Sequence, residues 1–199
     1  MFIKLSFVMM LCLFMGCASS VSSTKFYLLS ALPATDQVKA MSDTAVEINV
    51  LALPQYLDRP QIVFRSNENR MKMAEFDQWG GNLRKNIMRT VSQNLMTLLH
   101  SPYITTIPQL PRLRTEFRVD IEIVQFERDA QQRVILNAHW SVSDKRVNPP
   151  KTITISNVLR SPPVLEQGNF DATVAAMSRL LEDLSHRIAA NIQHRMKTP

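Results

Sequence analysis

Apolar and polar residues alternate with a period of two in several stretches of the chain, and this alternation predicts β-strands. Residues 25–30 and 61–65 are short apolar runs, and residues 46–51 turn one apolar face toward a core. The longest alternation begins at Leu113 and holds to Ile123, where it slips as at a β-bulge. These patterns predict four strands.

Two more alternating stretches follow the long strand. Residues 134–142 repeat the alternation after a polar turn at residues 129–132, and Ile153 and Ile155 carry it again after a proline pair. Consecutive strands joined by short polar turns are typical of an antiparallel meander.

Two longer stretches carry apolar side chains at steps of three and four, the spacing that lines one face of a helix. The first covers residues 79–99, with a true start as late as Asn82 because a glycine pair weakens the first turn. The second covers about residues 170–195, with Asn169 as the predicted N-cap.

The predicted order of elements is β-β-β-α-β-β-β-α, which belongs to the α+β class. Two amphipathic helices can cover one face of a sheet. We therefore predict a two-layer α/β sandwich with a mostly antiparallel sheet and two long amphipathic helices.

The first residues have the pattern of a secretory signal. Lys4 precedes an apolar run that is too short for a bilayer span, which needs ~20 apolar residues. The run ends in Leu13-Phe14-Met15-Gly16-Cys17, which looks like a lipobox. We predict that residues 1–16 are removed and that Cys17 carries the lipid anchor. The alternative is an ordinary signal peptide with a coincidental cysteine.

A short polar stretch follows the cysteine. Residues 17–24 are mostly small and polar, a composition that suits a flexible tether between an anchor and a folded domain. Residues 25–199 then form the predicted single domain. Ala18 stands where an aspartate would commonly retain a lipoprotein in the inner membrane, so the expected destination is the outer membrane.

Composition excludes several classes of function. The chain has two cysteines, Cys12 and Cys17, so the processed chain would hold no free thiol for catalysis, redox chemistry or metal binding. Its four glycines are too few for a glycine-rich phosphate loop. The formal net charge of +6 suits anionic head groups or an acidic protein partner, and no nucleic acid is expected for an exported lipoprotein.

No catalytic or metal site emerges from the polar residues. The four histidines lack the spacing of paired ligands, and His100 is better explained as a cation at a helix end. Asp120 and Glu122 share a strand face with Arg114 and Arg118, which favours a salt-linked exposed face over paired catalytic carboxylates. We predict a non-catalytic protein with no cofactor and no metal.

One polar motif stands out between two predicted strands. Two prolines fix the backbone around it, so its polar side chains are held in place. One interpretation is a turn held by an Asp58–Arg59 pair, and the other is a contact surface for a partner. The candidate contact residues are Tyr56, Leu57, Asp58, Arg59, Pro60 and Gln61.

Four segments in order resemble one known family. They are YLDRPQIVFR from Tyr56, EFDQWGGNLRKNIMRTVSQNL from Glu75, LNAHWSV from Leu136 and VAAMSRLLEDLSHRIAANI from Val174. The chain is similar along nearly the whole predicted domain to the ABC-type transport auxiliary lipoprotein family.

The resemblance implies a role in transport between membranes. Members work beside a periplasm-spanning protein with MCE domains and its inner-membrane components. The implied function is a docking or adaptor lipoprotein, anchored in the outer membrane and facing the periplasm, that helps to move lipids or hydrophobic molecules. The functional residues carried over are Cys17 and Tyr56 to Val63, with no catalytic residue. A homo-oligomer is possible, and the alternative function is a lipid-binding module that holds a hydrophobic ligand itself.

Overall fold

The computed structural model describes residues 23–33, 42–106, 114–164 and 170–197 of the 199-residue chain. The predicted signal, Cys17, most of the tether, Leu113 and Asn169 lie outside these residues. The described part is a sheet of eight strands with two helices, and the predicted α+β class is confirmed. The elements are β1 (Lys25–Tyr27), β2 (Val46–Ala52), β3 (Gln61–Asn67), β4 (Arg70–Trp79), α1 (Leu83–Leu99), β5 (Ile104–Thr105), β6 (Phe117–Arg128), β7 (Arg133–Asp144), β8 (Lys151–Pro163) and α2 (Phe170–Lys197).

Strand β6 organises the sheet. Strand β7 pairs antiparallel along the length of β6, and β8 pairs antiparallel with β7, so the predicted meander is confirmed. The register of β6 shifts between Ile123 and Gln125, at the predicted bulge. The sheet is mixed, because parallel pairs join β2 and β3 to β6, β5 to β2, and β1 to β4.

Two strands share the other edge of β6. Strand β2 pairs with its first half, and β3 reaches it through Phe64 opposite Arg128. Both run parallel to β6, so they follow one another along a single edge. Residues 53–60 leave the sheet between them, and most of the polar motif lies in this interruption.

Two strands were missed by the sequence reading. Strand β4 pairs with β3 as a hairpin, and Trp79 ends this strand instead of starting the first helix, which begins at Leu83. The alternation in β4 is broken because its register against β3 shifts between Gln61 and Val63. Strand β5 is only two residues long. The order is therefore β-β-β-β-α-β-β-β-β-α.

Both helices bury one face against the inner side of the sheet. The apolar stripe of each helix and the inward side chains of β6 belong to one core cluster. The helices also contact each other, with the side chain of Asn94 donating a 3.1 Å hydrogen bond to Ser185 Oγ. None of the helices in the described residues is long and apolar enough to cross a membrane.

The outer face of the sheet carries linked charges, as predicted. Arg118 Nε lies 3.0 Å from an Asp120 carboxylate oxygen, and Arg118 also lies 3.8 Å from Glu47. Lys145 adds a 3.1 Å contact to Glu47, whose pKa is lowered by hydrogen bonds from Asn49 and Lys145 that outweigh its burial. These ion pairs stabilise the face of β6 that turns away from the helices.

Candidate functional site

The loop over residues 53–60 has a defined backbone conformation. A 3-10 turn covers Gln55–Leu57, with the Leu57 amide donating to the Pro54 carbonyl at 2.9 Å. The Pro60 carbonyl accepts a 2.7 Å bond from the amide of Trp79, which ties the end of the loop to β4. Prolines at 54 and 60 restrict φ at both ends. The loop is therefore held by backbone bonds as well as by its side chains.

Two residues of the motif face inward. Leu57 is 3% exposed and belongs to the core cluster. The Tyr56 hydroxyl donates a 2.9 Å hydrogen bond to Glu127 Oε2. Burial, followed by the neighbouring Glu127 carboxylate, raises the pKa of Tyr56 well above its ordinary value. Both side chains fasten the loop to the body of the protein.

Glu127 is the hub of this attachment. It has no exposed surface, and it accepts a 2.7 Å hydrogen bond from Arg65 Nε as part of an ion pair. The Gln125 side chain and the Phe126 amide donate at 2.9 and 3.1 Å. The hydrogen bond to Glu127 is the largest cause that raises the pKa of Arg65. A buried carboxylate needs such donors because burial without them is costly.

Three other residues of the motif face solvent. Asp58, Arg59 and Pro60 are exposed, although they follow directly after buried Leu57. Asp58 Oδ1 accepts a 2.9 Å bond from Asn82 Nδ2, and the Arg59 guanidinium contacts the Met73 sulfur. The motif does contain a turn, but the predicted Asp58–Arg59 pair that would hold it is wrong, because each side chain has a different partner.

The motif is also tied to the start of α1. Asn82 caps this helix, since its Oδ1 accepts a 3.1 Å bond from the Lys85 amide while its Nδ2 reaches Asp58. Gly81 precedes the cap and has a φ of 133°, a backbone conformation that residues with a Cβ rarely adopt. Gln61, the last candidate residue, is half-buried and pairs with Gln78 of β4. The six candidate residues thus divide into an inner pair, an exposed group of three and one strand residue.

The sequence analysis missed the roles of three residues that build this site: Glu127, Arg65 and Asn82, the last of which was named only as the latest start of the first helix. Arg65 ends the segment that resembles the family, but nothing in its position pointed to a buried partner. Glu127 follows the slip in the alternation of β6. A charged residue beside the apolar Phe126 at such a slip was the one signal in the sequence that could have indicated a buried carboxylate.

The histidines do not form a second site. His100 lies at the C-terminal cap of α1, where it was predicted to lie at a helix end. His139 on β7 lies 3.5 Å from Glu122, and His186 lies 3.9 Å from Glu182 on the same helix. Within the residues that the structure describes, no group of His, Cys, Asp and Glu could hold a metal ion.

Comparisons with known proteins match this chain to one family and one fold. The family of ABC-type transport auxiliary lipoprotein components matches residues 27–189. A crystal structure of an uncharacterized protein has a TM-score of 0.67 at 17% identity and covers 86% of this chain and 99% of its own. A protein of Xanthomonas campestris from family DUF330 has a TM-score of 0.65 at 12% identity, covering 88% of this chain and 100% of its own.

At these identities the two structures show a shared fold alone. No curated protein matches the chain. The family match covers most of the chain, and the family consists of transport auxiliary lipoproteins rather than enzymes. Lipoproteins of this kind are anchored to a membrane of the cell envelope. The chain therefore belongs to the family of ABC-type transport auxiliary lipoprotein components.

Proposed function

We propose that this chain is an outer-membrane lipoprotein that docks a periplasm-spanning MCE-domain protein, in a complex that moves lipids or other hydrophobic molecules between membranes. It works without catalysis, cofactor or metal. The exposed group Asp58, Arg59 and Pro60 makes the contact, and Tyr56, Leu57 and Gln61 support it. The inner-membrane components of the complex supply the chemical drive.

The proposal rests on the way in which the motif divides into buried and exposed residues. Within three consecutive residues, the chain passes from a 3%-exposed core leucine to two exposed charged side chains. Backbone bonds and the buried Glu127 hold the loop, so little conformational freedom remains to be lost when a partner binds. Preorganised surfaces bind more tightly because that entropic cost is reduced.

The exposed group suits a partner that is both polar and apolar. Asp58 and Arg59 offer an acceptor and a planar donor, and Arg is enriched among the residues that dominate binding energy at interfaces. Met73, 55% exposed, lies against Arg59 and adds adaptable apolar surface.

The anchor completes the proposed role. Lipid on Cys17 fixes the chain to the membrane, and two or more acyl chains hold a protein stably. Residues 1–16 are removed in this proposal, and residues 17–24 act as the tether. The domain over residues 25–199 then meets the partner from the periplasmic side. Several copies could surround one partner, which makes a homo-oligomer part of the test.

The second candidate is a module that carries a hydrophobic ligand between sheet and helices. It has less support, because Met177 on the inner face of α2 is buried in the core cluster, where it packs against other apolar side chains. Met88 and Met71 are partly buried against the same cluster. Mass spectrometry of co-purified lipid separates the two functions, since an adaptor should be empty.

Co-purification tests the proposed function directly. The intact lipoprotein is isolated from membranes in detergent with the MCE-domain protein of the same organism, and the stoichiometry is read by native mass spectrometry. We expect a complex, and we expect the Cys17→Ser chain to leave the outer-membrane fraction. Failure of correctly folded lipoprotein to bind the MCE-domain protein would refute the docking role.

A further inference from the structure

An open groove lies beside the motif, between the end of β1 and the first turns of α1. Its volume is about 380 Å³, and its lining includes Leu28, Asn82, Lys85, Asn86 and Arg89. Two of these residues are cations and two are amides. The docking role described above uses none of Leu28, Lys85, Asn86 and Arg89.

The two cations at the groove favour an anion. Lys85 is exposed at the groove, and the Arg89 guanidinium donates to the Leu29 carbonyl, the Asn86 Oδ1 and the Gln93 Oε1. Asn86 is only 5% exposed, yet its Nδ2 donor has no hydrogen-bond partner in the described part of the chain. Asp58 accepts a hydrogen bond from Asn82, which belongs to the lining of the groove. Two cations and an unpaired buried donor suit a phosphate group, which is charged and rich in acceptors.

An apolar patch of three exposed side chains lies near the groove: Phe26 in β1, Leu28 directly after β1, and Phe76 on the neighbouring strand β4. Phe26 is 68% exposed and Leu28 is 56% exposed, and the Leu28 side chain also lines the groove. Phe26 pairs with Gln78 of β4, and Phe76, two residues earlier on that strand, is 40% exposed. An exposed apolar patch next to cations is the composition of a surface that meets lipid at the bilayer interface.

The position of the patch along the chain points to the same occupant. Residues 18–24 separate Cys17 from β1, and such a segment reaches at most about 25 Å when fully extended. A lipid on Cys17 would therefore keep β1 and the groove close to the membrane surface. We propose that the groove binds the phosphate head group of a phospholipid in that membrane, while Phe26, Leu28 and Phe76 enter the interface.

This inference shares the anchor with the proposed function but needs no protein partner. Vesicle sedimentation tests it with the chain from residue 17 that carries Cys17→Ser. The core cluster of the described residues begins at Tyr27, so we expect the chain to fold without the anchor, and circular dichroism checks this. Vesicles contain phosphatidylcholine alone or with a quarter of phosphatidylglycerol. The variants are Lys85→Gln and, as a matched control on an exposed lysine of β8, Lys151→Gln.

We expect binding to the anionic vesicles that is about fivefold weaker in Lys85→Gln and unchanged in Lys151→Gln, since one lysine near an anionic surface contributes about that factor. A short-chain phosphatidylglycerol should also shift the side-chain amide signal of Asn86 in NMR spectra. Equal losses in both variants, no preference for anionic lipid, or no binding at all would overturn the proposal. If inorganic phosphate shifts the Asn86 signal but vesicles do not bind, the site takes free phosphate and the lipid assignment is wrong.

Discussion

The Tyr56 hydroxyl donates a 2.9 Å hydrogen bond to the carboxylate of Glu127, 71 residues further along the chain. One residue belongs to a loop that leaves the sheet, and the other lies near the end of the central strand β6. Because Glu127 is fully buried, each donor that satisfies it affects the stability of the fold. The same bond fixes the base of the exposed group Asp58, Arg59 and Pro60.

Removing the Tyr56 hydroxyl tests this attachment. We expect Tyr56→Phe to lower the free energy of unfolding by about 1–2 kcal/mol, because a buried carboxylate loses one donor. Urea denaturation measures the change. Tyr103→Phe is the matched control. It removes the same hydroxyl group from an exposed tyrosine, where no buried partner loses a hydrogen bond. Equal stabilities of the two variants would show that the bond does not hold the loop.

Asn82 links the cap of α1 to the motif. We expect Asn82→Ala to lower the free energy of unfolding by about 1 kcal/mol, the usual effect of removing an N-cap side chain. Asn82→Ser keeps an acceptor for the Lys85 amide and loses the donor to Asp58. It should therefore regain most of the stability in thermal denaturation. If the serine variant is as unstable as the alanine variant, the contact with Asp58 matters more than the cap.

Alanine substitutions in the glycine pair before α1 distinguish backbone strain from steric crowding. Gly81 has φ of 133°, so a Cβ at this position strains the backbone although no atom lies within 4 Å of it. A Cβ at Gly80 would lie 3.3 Å from Leu28 Cδ2, the end of a flexible side chain. We expect Gly81→Ala to cost about 1–2 kcal/mol of unfolding free energy and Gly80→Ala to cost less. Calorimetric melting of the two variants compares them, and the opposite order would contradict this explanation.

Asp144 should make the free energy of unfolding depend on pH. Hydrogen bonds from Arg146, at 2.8 and 3.0 Å, hold the pKa of Asp144 below its ordinary value of 3.8 despite burial. The unfolded chain therefore takes up the proton first as the pH falls, and stability is lost from about pH 5 downward. Asp144→Asn should be less stable at pH 7 and should show a shallower loss toward pH 2. Asp183→Asn, a change at an exposed acid of α2, serves as the control and should follow the unmodified chain.

Much of the fold could be predicted because side-chain periods report burial. The stripe from Leu83 to Leu95 and the alternation from Phe117 to Ile123 identified α1 and β6 correctly. Periodicity reports which face is buried but not which strand is the neighbour. It therefore could not show that β2 and β3 both run parallel to β6, or that the motif fills the gap between them.

The site was predictable only in part, for a related reason. The motif was identified from its prolines and its resemblance to a family, but the division between inner Tyr56 and outer Arg59 depends on a residue 71 positions away. In the sequence, Glu127 does not differ from other charged residues at strand ends. Its burial becomes evident only in the structure, where Tyr56 and Arg65 contact it. Long-range hydrogen bonds of this kind leave no local pattern in a sequence.

The most direct test of the docking surface is the affinity for the periplasmic part of the MCE-domain protein. Calorimetry compares the Cys17→Ser chain from residue 17 with versions that also carry Asp58→Ala and Arg59→Ala, or Lys151→Gln on the far edge of the sheet. We expect the double change to weaken binding at least tenfold, with an unaltered circular dichroism spectrum, and the lysine change to have no effect. Unchanged affinity of the folded double variant would contradict the claim that the loop contacts the partner.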